Sequence, residues 1–263
     1  MDGFFPIVPG RISKACGQAD MLRSDVAVQL TNTPKLREEA YKIRHEAYLS
    51  YNYITPRETE QFQDKYDERR NVSTVLLTKG GIPAATVRVC LFDPSGQFPE
   101  ADRVPAMEIF DAEIRGLTGA GDSQHMLRAV EITRLARASA FANDKTIIHA
   151  LFRAVGYLIL YYKADIVLNA CRPHHVPMYR RFGFQKIAEP LQYPNLTFKA
   201  ALLACFSSSY GEAKASLPFL QGISKFDQAY ESLVCGEAAA FDDGRFCPPV
   251  PNPAFLPGVP AWR

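Results

Sequence analysis

The sequence predicts an α/β fold, a mixed central sheet flanked by helices, and three observations carry that reading. Ala129–Ala136, AVEITRLA, reads as a strand; a long apolar helix follows to about Tyr162; DIVLNA, Asp165–Ala170, has the length and branching of a buried strand. Together they form a strand–helix–strand unit, expected to be right-handed. Upstream, Val72–Thr78 and Ala84–Phe92 are rich in Val, Leu and Thr around KGGIP, the pattern of two strands joined by a glycine turn.

Before that hairpin, Thr33 followed by Pro34 marks a helix start. Leu36, Ala40, Ile43 and Ala47 recur at spacings of three and four, so a helix spans Pro34 to Ser50. On its flank Arg37, Tyr41, Arg44 and Tyr48 form a second row, polar yet aromatic, suited to lining a cleft. Residues 93–125 contain DPSG and LTGAGDSQ, loop punctuation, with only a short apolar piece at Met107–Phe110. Asp144 caps the helix that ends near Tyr162. A short helix is expected over His174–Phe182, ended by Gly183, with strands at Phe184–Ala188 and Leu196–Leu203. Ser224–Ala240 reads as one further helix, and six prolines between 248 and 263 predict an extended tail. The expected organisation is an arm over 1–32, a domain over 33–206 and an extension over 207–263.

Composition narrows the function. With 47% hydrophobic and 22% charged residues in 263, the chain has enough apolar material for a core, which excludes disordered and fibrous classes. Thirty Lys+Arg against 28 Asp+Glu give +2, too balanced for a nucleic-acid-binding protein. Six scattered cysteines without a CxxC pair predict reduced thiols, and His125, His149, His174 and His175 have no metal-ligand spacing. MDGFFPIVPG lacks the basic start and unbroken apolar core of a secretion signal. Ile147–Tyr162 contains His149 and Arg153 and falls short of the roughly 20 apolar residues that span a bilayer. The expected compartment is the cytoplasm.

The charged and aromatic residues fall in an informative order: Arg44 and Tyr48, Asp64 and Asp67 in DKYDE, Arg88 in ATVRV, Glu131 and Arg134 in EITRLAR, and Tyr179 in MYRRFGF. MYRRFGF resembles the closing Tyr-x3-Gly-Phe signature of the Gcn5-related N-acyltransferase fold. The order Arg44, Asp64, Asp67, Arg88, Glu131, Arg134 resembles the charged residues of acyl-homoserine-lactone synthases, a branch of that fold. Over residues 33–206 the chain is most similar to the N-acyl amino acid synthases. That resemblance implies transfer of a long-chain acyl group from acyl carrier protein to an amino acid, with an acyl-phosphopantetheine donor and no tightly bound cofactor.

Two departures refine it. The glycine-containing phosphate loop that binds acetyl-CoA in that fold is replaced by ARASAFAND, Ala136–Asp144, whose lack of glycine disfavours close approach of a CoA pyrophosphate. The single phosphate of phosphopantetheine needs fewer donors, and the helix start at Asp144–Thr146 offers N–H groups. Arg137, Lys145, Arg172, Arg180, Arg181 and Lys186 fall near one edge, a basic surface for an acidic carrier. The tryptophan expected after the first helix of lactone synthases is missing, Trp262 being the only one, and Tyr51 or Tyr53 is the expected substitute.

Aminolysis of a thioester needs a neutral amine, a stabilised oxyanion and a protonated leaving thiol. The candidates are Glu131 as base or water relay, backbone N–H groups beyond Arg134 for the oxyanion, and Tyr179 as acid. Arg44, Arg88 and Arg134 are candidates for an amino acid carboxylate, with Asp64 or Asp67 for its ammonium and Tyr48 beside them. Glu131 and Arg134 also fit an ion pair on a half-buried strand, and Arg88 with Asp64 and Asp67 also fits a network tying the hairpin to the first helix. Phe141, Ile148, Phe152 and Val155 fit a core stripe or an acyl-chain tunnel. Acyl-homoserine-lactone synthesis and a non-catalytic fatty-ligand-binding module are the alternative functions.

Overall fold

In the computed structural model, which describes residues 25–119, 126–242 and 245–247, the chain opens with strand β1, Val26–Leu30, and helix α1, Pro34–Ser50. Strands β2, Val72–Lys79, and β3, Ile82–Phe92, follow, then helix α2, Met107–Thr118, and strand β4, Ala129–Arg137. Helix α3, Lys145–Tyr162, leads to β5, Ile166–Cys171; the short helix α4, Val176–Arg180, leads to β6, Gln185–Gln192, and β7, Lys199–Phe206. Helices α5, Tyr210–Ser216, and α6, Gln228–Val234, precede β8, Ala239–Asp242, and β9, Arg245–Cys247.

Local chemistry accounts for the main boundaries. The Thr33 hydroxyl accepts from Leu36 N at 3.4 Å and Pro34 takes the first turn of α1. Between β2 and β3, Gly80 at φ 57° and Gly81 at φ 78° supply the left-handed turn that matches the twist of a hairpin. Asp144 caps α3 by accepting from Thr146 N at 2.9 Å.

The strands form one sheet in the order β6-β7-β5-β4-β3-β2-β1-β8-β9. Among the described strands only β4 and β5 pair in parallel, and their register ends at Glu131↔Leu168 although both strands continue. One face carries α1, whose Ala40 and Ile43 meet Leu76 and Ala136, and α2, whose Met107, Phe110 and Ile114 pack on Cys90, Phe92 and Leu168. The opposite face carries α3 and α6, with Leu151, Val155 and Leu233 packed among Val87, Val89, Val130 and Ile132. Among the described residues no helix is long and apolar enough to cross a membrane.

The structure differs from the sequence expectation in four places. Residues 93–119 hold α2 rather than loop alone: Met107, Phe110 and Ile114 recur on one buried face, but a kink at Phe110 (φ −130°, ψ 34°) interrupts the period and turn residues flank both sides. The span 224–240 is divided, since Gly236 at φ 80° ends α6 and the chain turns into β8, which pairs with β1. β1 itself was not expected; it pairs with β2 on one side and β8 on the other, so the expected segments 1–32 and 207–263 both contribute strands to the sheet. Finally, α5 forms between β7 and α6. The expectations for Pro6, Pro9, Cys16, His125, Trp262 and the proline-rich tail lie outside the described residues.

Residues after β7 are fastened to α3 by one buried cation. Arg153, 1% exposed, donates to the carbonyls of Phe219 at 3.0 Å and Gln221 at 2.7 Å and pairs with Asp227 at 3.3 Å, while the Tyr157 hydroxyl donates to the same carboxylate. Arg153→Leu leaves the Phe219 and Gln221 carbonyls without their donor and the half-buried Asp227 carboxylate without its counter-charge. Urea unfolding at pH 7 should register a loss of about 3 kcal/mol; full retained stability would show that other contacts hold this segment.

Candidate active site

The site forms where the sheet stops being regular. β3 and β4 pair Thr86↔Ala136 and Arg88↔Thr133, so Arg134 and Leu135 together face Val87, a β-bulge, and Arg134 takes φ 54°. A non-glycine residue in that region carries strain that the surroundings must hold in place. On the other side of β4 the ladder to β5 has already ended, and Asn169 takes over: its amide donates to the Ile132 carbonyl at 2.9 Å. The strands therefore splay around a side chain rather than continuing a backbone ladder.

Below the bulge lies a network of buried charge. Arg88 grips Asp64 with both terminal nitrogens, at 2.7 and 3.0 Å, and Arg134 reaches the same carboxylate at 2.7 and 3.1 Å. Asp67, its side chain 1% exposed, pairs with Arg44 at 2.7 Å and Arg88 at 3.0 Å and accepts from Asp64 N at 2.9 Å. Arg44 also donates to Thr74 at 3.2 Å. Burial raises the carboxyl pKa of Asp64, but the charges and hydrogen bonds of Arg88 and Arg134 outweigh it and hold the group well below the usual carboxylate range.

Glu131, 1% exposed, sits on β4 opposite Cys90 and accepts from Ala106 N, at the start of α2, at 2.8 Å. Its other oxygen, Oε1, is buried without a partner. Burial pushes its pKa up to about 7, against the pull of the Ala106 N–H and of Arg88 and Arg134. Tyr179 is also buried, and burial raises its pKa, so the phenol keeps its proton at neutral pH. Asn169 donates to that phenol oxygen at 3.3 Å, which leaves the Tyr179 O–H free to donate elsewhere.

Two cavities open onto this framework. The first, about 350 Å³, occupies the splay: Thr133, Arg134 and Arg137 form one wall, Asn169, Arg172 and Tyr179 another, and Tyr48, Tyr53 and Phe198 close it with aromatic rings. The second, about 290 Å³, is more charged, with Asp64, Lys65, Arg57 and Glu108 around Phe62 and Tyr66. Arg134, Tyr193 and Leu196 line both, so the bulge separates two adjoining chambers. Glu108 accepts from the Tyr66 hydroxyl at 3.1 Å and pairs with Lys65 at 2.7 Å. The Arg134 guanidinium lies 4.7 Å from the centre of the Phe62 ring and 5.7 Å from that of Tyr48.

The sequence-predicted residues thus converge on one region, in two tiers. Tyr48, Arg134 and Tyr179 line the first chamber, and Asp64 and Arg134 the second. Arg44 and Arg88, both 0% exposed, line neither chamber and are engaged by Asp64, Asp67 and Thr74, which corrects their assignment to a substrate carboxylate. Asp67 is buried with them. Glu131 likewise lines neither chamber. Tyr53 lines the first chamber, whereas Tyr51 is 64% exposed and stacks on it from outside. The α3 start does not offer the expected free Thr146 N–H, because Asp144 occupies it while also pairing with Lys79.

Two positions that line the site escaped the sequence. Asn169 carried a readable signal, a polar residue near the end of an otherwise apolar strand. Tyr193 carried none: it sits in a turn after β6 and reaches the site through tertiary packing. Among the described residues no group of three or more His, Cys, Asp or Glu is arranged to hold a metal ion.

Residues 39–205 match the family model of the N-acyl amino acid synthase FeeM. Among solved structures, FeeM from uncultured soil microbes is 18% identical, with 76% of this chain and 99% of that one covered and a TM-score of 0.59. TofI, solved with an inhibitor and MTA, is 15% identical over 75% of this chain and 100% of its own, with a TM-score of 0.50. No curated protein matches the sequence. The fold is the one that FeeM adopts, here a mixed sheet flanked by helices.

An acid whose folded pKa is raised contributes stability below its ordinary value and loses it as pH climbs through the raised one. For Glu131 that window runs from 4.5 to about 7. The unfolding free energy of the unaltered protein should drop relative to that of Glu131→Gln as pH climbs across this window, the opposing titration of His175, which burial lowers to about 4, being common to both; parallel curves would mean that Glu131 ionises without penalty.

Proposed function

Since the chain belongs to the FeeM family of N-acyl amino acid synthases, we propose that it moves a long-chain acyl group from an acyl carrier protein thioester to the α-amine of an amino acid. The observation that carries this reading is the pair of chambers meeting at Arg134. A two-substrate transfer needs a donor site and an acceptor site open to a common point, and Arg134, Tyr193 and Leu196 border both. The thioester arm takes the first chamber, along the splay of β4 and β5. The amino acid takes the second, whose mixed carboxylates and cations suit a zwitterion.

In this reading the amine attacks the thioester carbonyl, a C–N bond forms and the C–S bond breaks. The amine proton passes to Glu131 through a water or Tyr193, which lines both chambers and feels the Glu131 charge. A base with a pKa of about 7 is matched to that task at neutral pH. Backbone N–H groups of the bulged segment stabilise the oxyanion, a donor of this kind being worth about 3 kcal/mol. Tyr179 protonates the departing thiolate, its phenol oriented by Asn169. Arg44, Arg88 and Asp67 act indirectly, by fixing Asp64 and hence Arg134.

The carrier-protein donor is supported by the ends of the first chamber. Arg137 and Arg172 line it, and Lys145, Arg180 and Arg181, close to lining residues in sequence, are exposed without ion pairs among the described residues. Such a surface attracts an acidic carrier in a salt-dependent way. The α3 N-terminus, filled by Asp144, is a poor site for a CoA pyrophosphate.

Mass spectrometry of lipids from cells expressing the protein should reveal a new long-chain N-acyl amino acid, missing from cells that carry Glu131→Gln. Co-purified fatty ligand without that product would favour a binding module, and S-adenosylmethionine consumption a lactone synthase. In purified protein, Glu131→Gln should lower turnover at least about tenfold and abolish the rising limb of the pH–rate profile near 7. Using amines of different basicity separates that limb from titration of the substrate. An undiminished rate removes Glu131 from the mechanism.

A further inference from the structure

Behind the first chamber lies a third, almost wholly apolar cavity of about 100 Å³ between α3 and the residues that follow β7. Ile132 and Phe152 line both, so these two side chains form the partition between the thioester chamber and this deeper space. The far wall is not part of the matched span 39–205: it is built by Tyr210 of α5, Phe219, Leu220 and Ile223. This wall is seated closely on α3, since a Cβ at Gly156 would meet Ile223 Cδ1 at 2.6 Å. Arg153 and Tyr157, one on each side of Gly156, hold it there through the Phe219 and Gln221 carbonyls and Asp227.

We infer that the segment following β7 is the acyl-length gauge of this enzyme: the donor chain passes Ile132 and Phe152 and ends against Phe219, Leu220 and Ile223. The inference rests on the acyltransferase reading above and adds to it the residues that decide chain length. An apolar pocket of this kind rewards each methylene that enters it. A cavity of about 150 Å³ admits benzene; about 100 Å³ therefore receives roughly four carbons of the chain. The glycine at 156 is then required for the fit of the wall against α3, and the fixed seat of the wall makes the limit sharp.

The test uses the full chain with acyl carrier protein thioesters from octanoyl to palmitoyl and the amine identified by lipid mass spectrometry. Ile223→Ala deepens the cavity and should shift preference, read as the ratio of kcat/KM values, about tenfold towards a chain two carbons longer. Ala213→Phe fills the cavity from α5 and should shift it towards shorter chains while sparing octanoyl transfer. Thermal melting confirms that each variant is folded; Phe219→Leu replaces Ile223→Ala, and Leu220→Phe replaces Ala213→Phe, where one is not. An unchanged chain-length profile in the folded variants overturns the inference while leaving the acyltransferase reading intact. Failure of the unaltered protein to release thiol from any donor sinks that reading instead; the wall is then judged by saturated fatty-acid binding, whose preference must move in the same two directions.

Discussion

The carboxylate of Asp64 is the point on which the site turns. It accepts four hydrogen bonds from two buried guanidiniums, those of Arg88 on β3 and Arg134 on β4, and lies in the segment that joins α1 to β2. Without that shared acceptor, two cations on adjacent strands would face each other in a poorly screened interior. Asp67 performs the same service for Arg44 and Arg88. Three arginines are thus balanced by two aspartates, and Glu131 is the third carboxyl of the region. Burial opposes its ionisation while Arg88 and Arg134 favour it, which is why it is poised near 7 rather than at either extreme.

That network also explains how a strained backbone persists. Arg134 takes a positive φ in a strand, a conformation that L side chains resist, and its guanidinium is held by Asp64 and by the faces of Phe62 and Tyr48. The bulge redirects the β4 backbone where the ladder to β5 ends. Asn169 closes the opening with one hydrogen bond to Ile132 and orients Tyr179 with another. Strain, splay and the two chambers are therefore consequences of one arrangement: a cationic side chain pinned by a buried anion at the edge of a parallel strand pair.

The segment after β7 belongs energetically to the same body. β8 extends the sheet through β1, α6 buries Ala229 and Leu233 in the main core, and Arg153 ties the intervening chain to α3. These contacts cover the side of α3 that faces away from the first chamber, and they leave a small apolar space instead of a filled core. A hydrocarbon chain lodged there would add dispersion contacts with that lining.

Much of this was legible in the residues themselves. The 3.6-residue period of Leu36, Ala40, Ile43 and Ala47, the Thr33 and Asp144 caps and the Gly80–Gly81 turn are local signals, and local backbone preference decides them. The order of Arg44, Asp64, Asp67, Arg88, Glu131, Arg134 and Tyr179 was legible too, because charge in apolar strands stands out. Which of these charges touches a ligand was not. The family resemblance groups Arg88 and Arg134 with Asp64, but only the packing of three segments shows that Arg44 and Arg88 are sealed beneath the site while Arg134 lies at its rim. β1 and β8 are short strands whose hydrogen-bond partners lie far along the chain, α2 is masked by its kink at Phe110, and Tyr193 reaches the site from a turn. Propensity and periodicity act over a few residues; pairing across the chain, burial and the paths between cavities are fixed when distant segments meet, and those are properties of the tertiary structure alone.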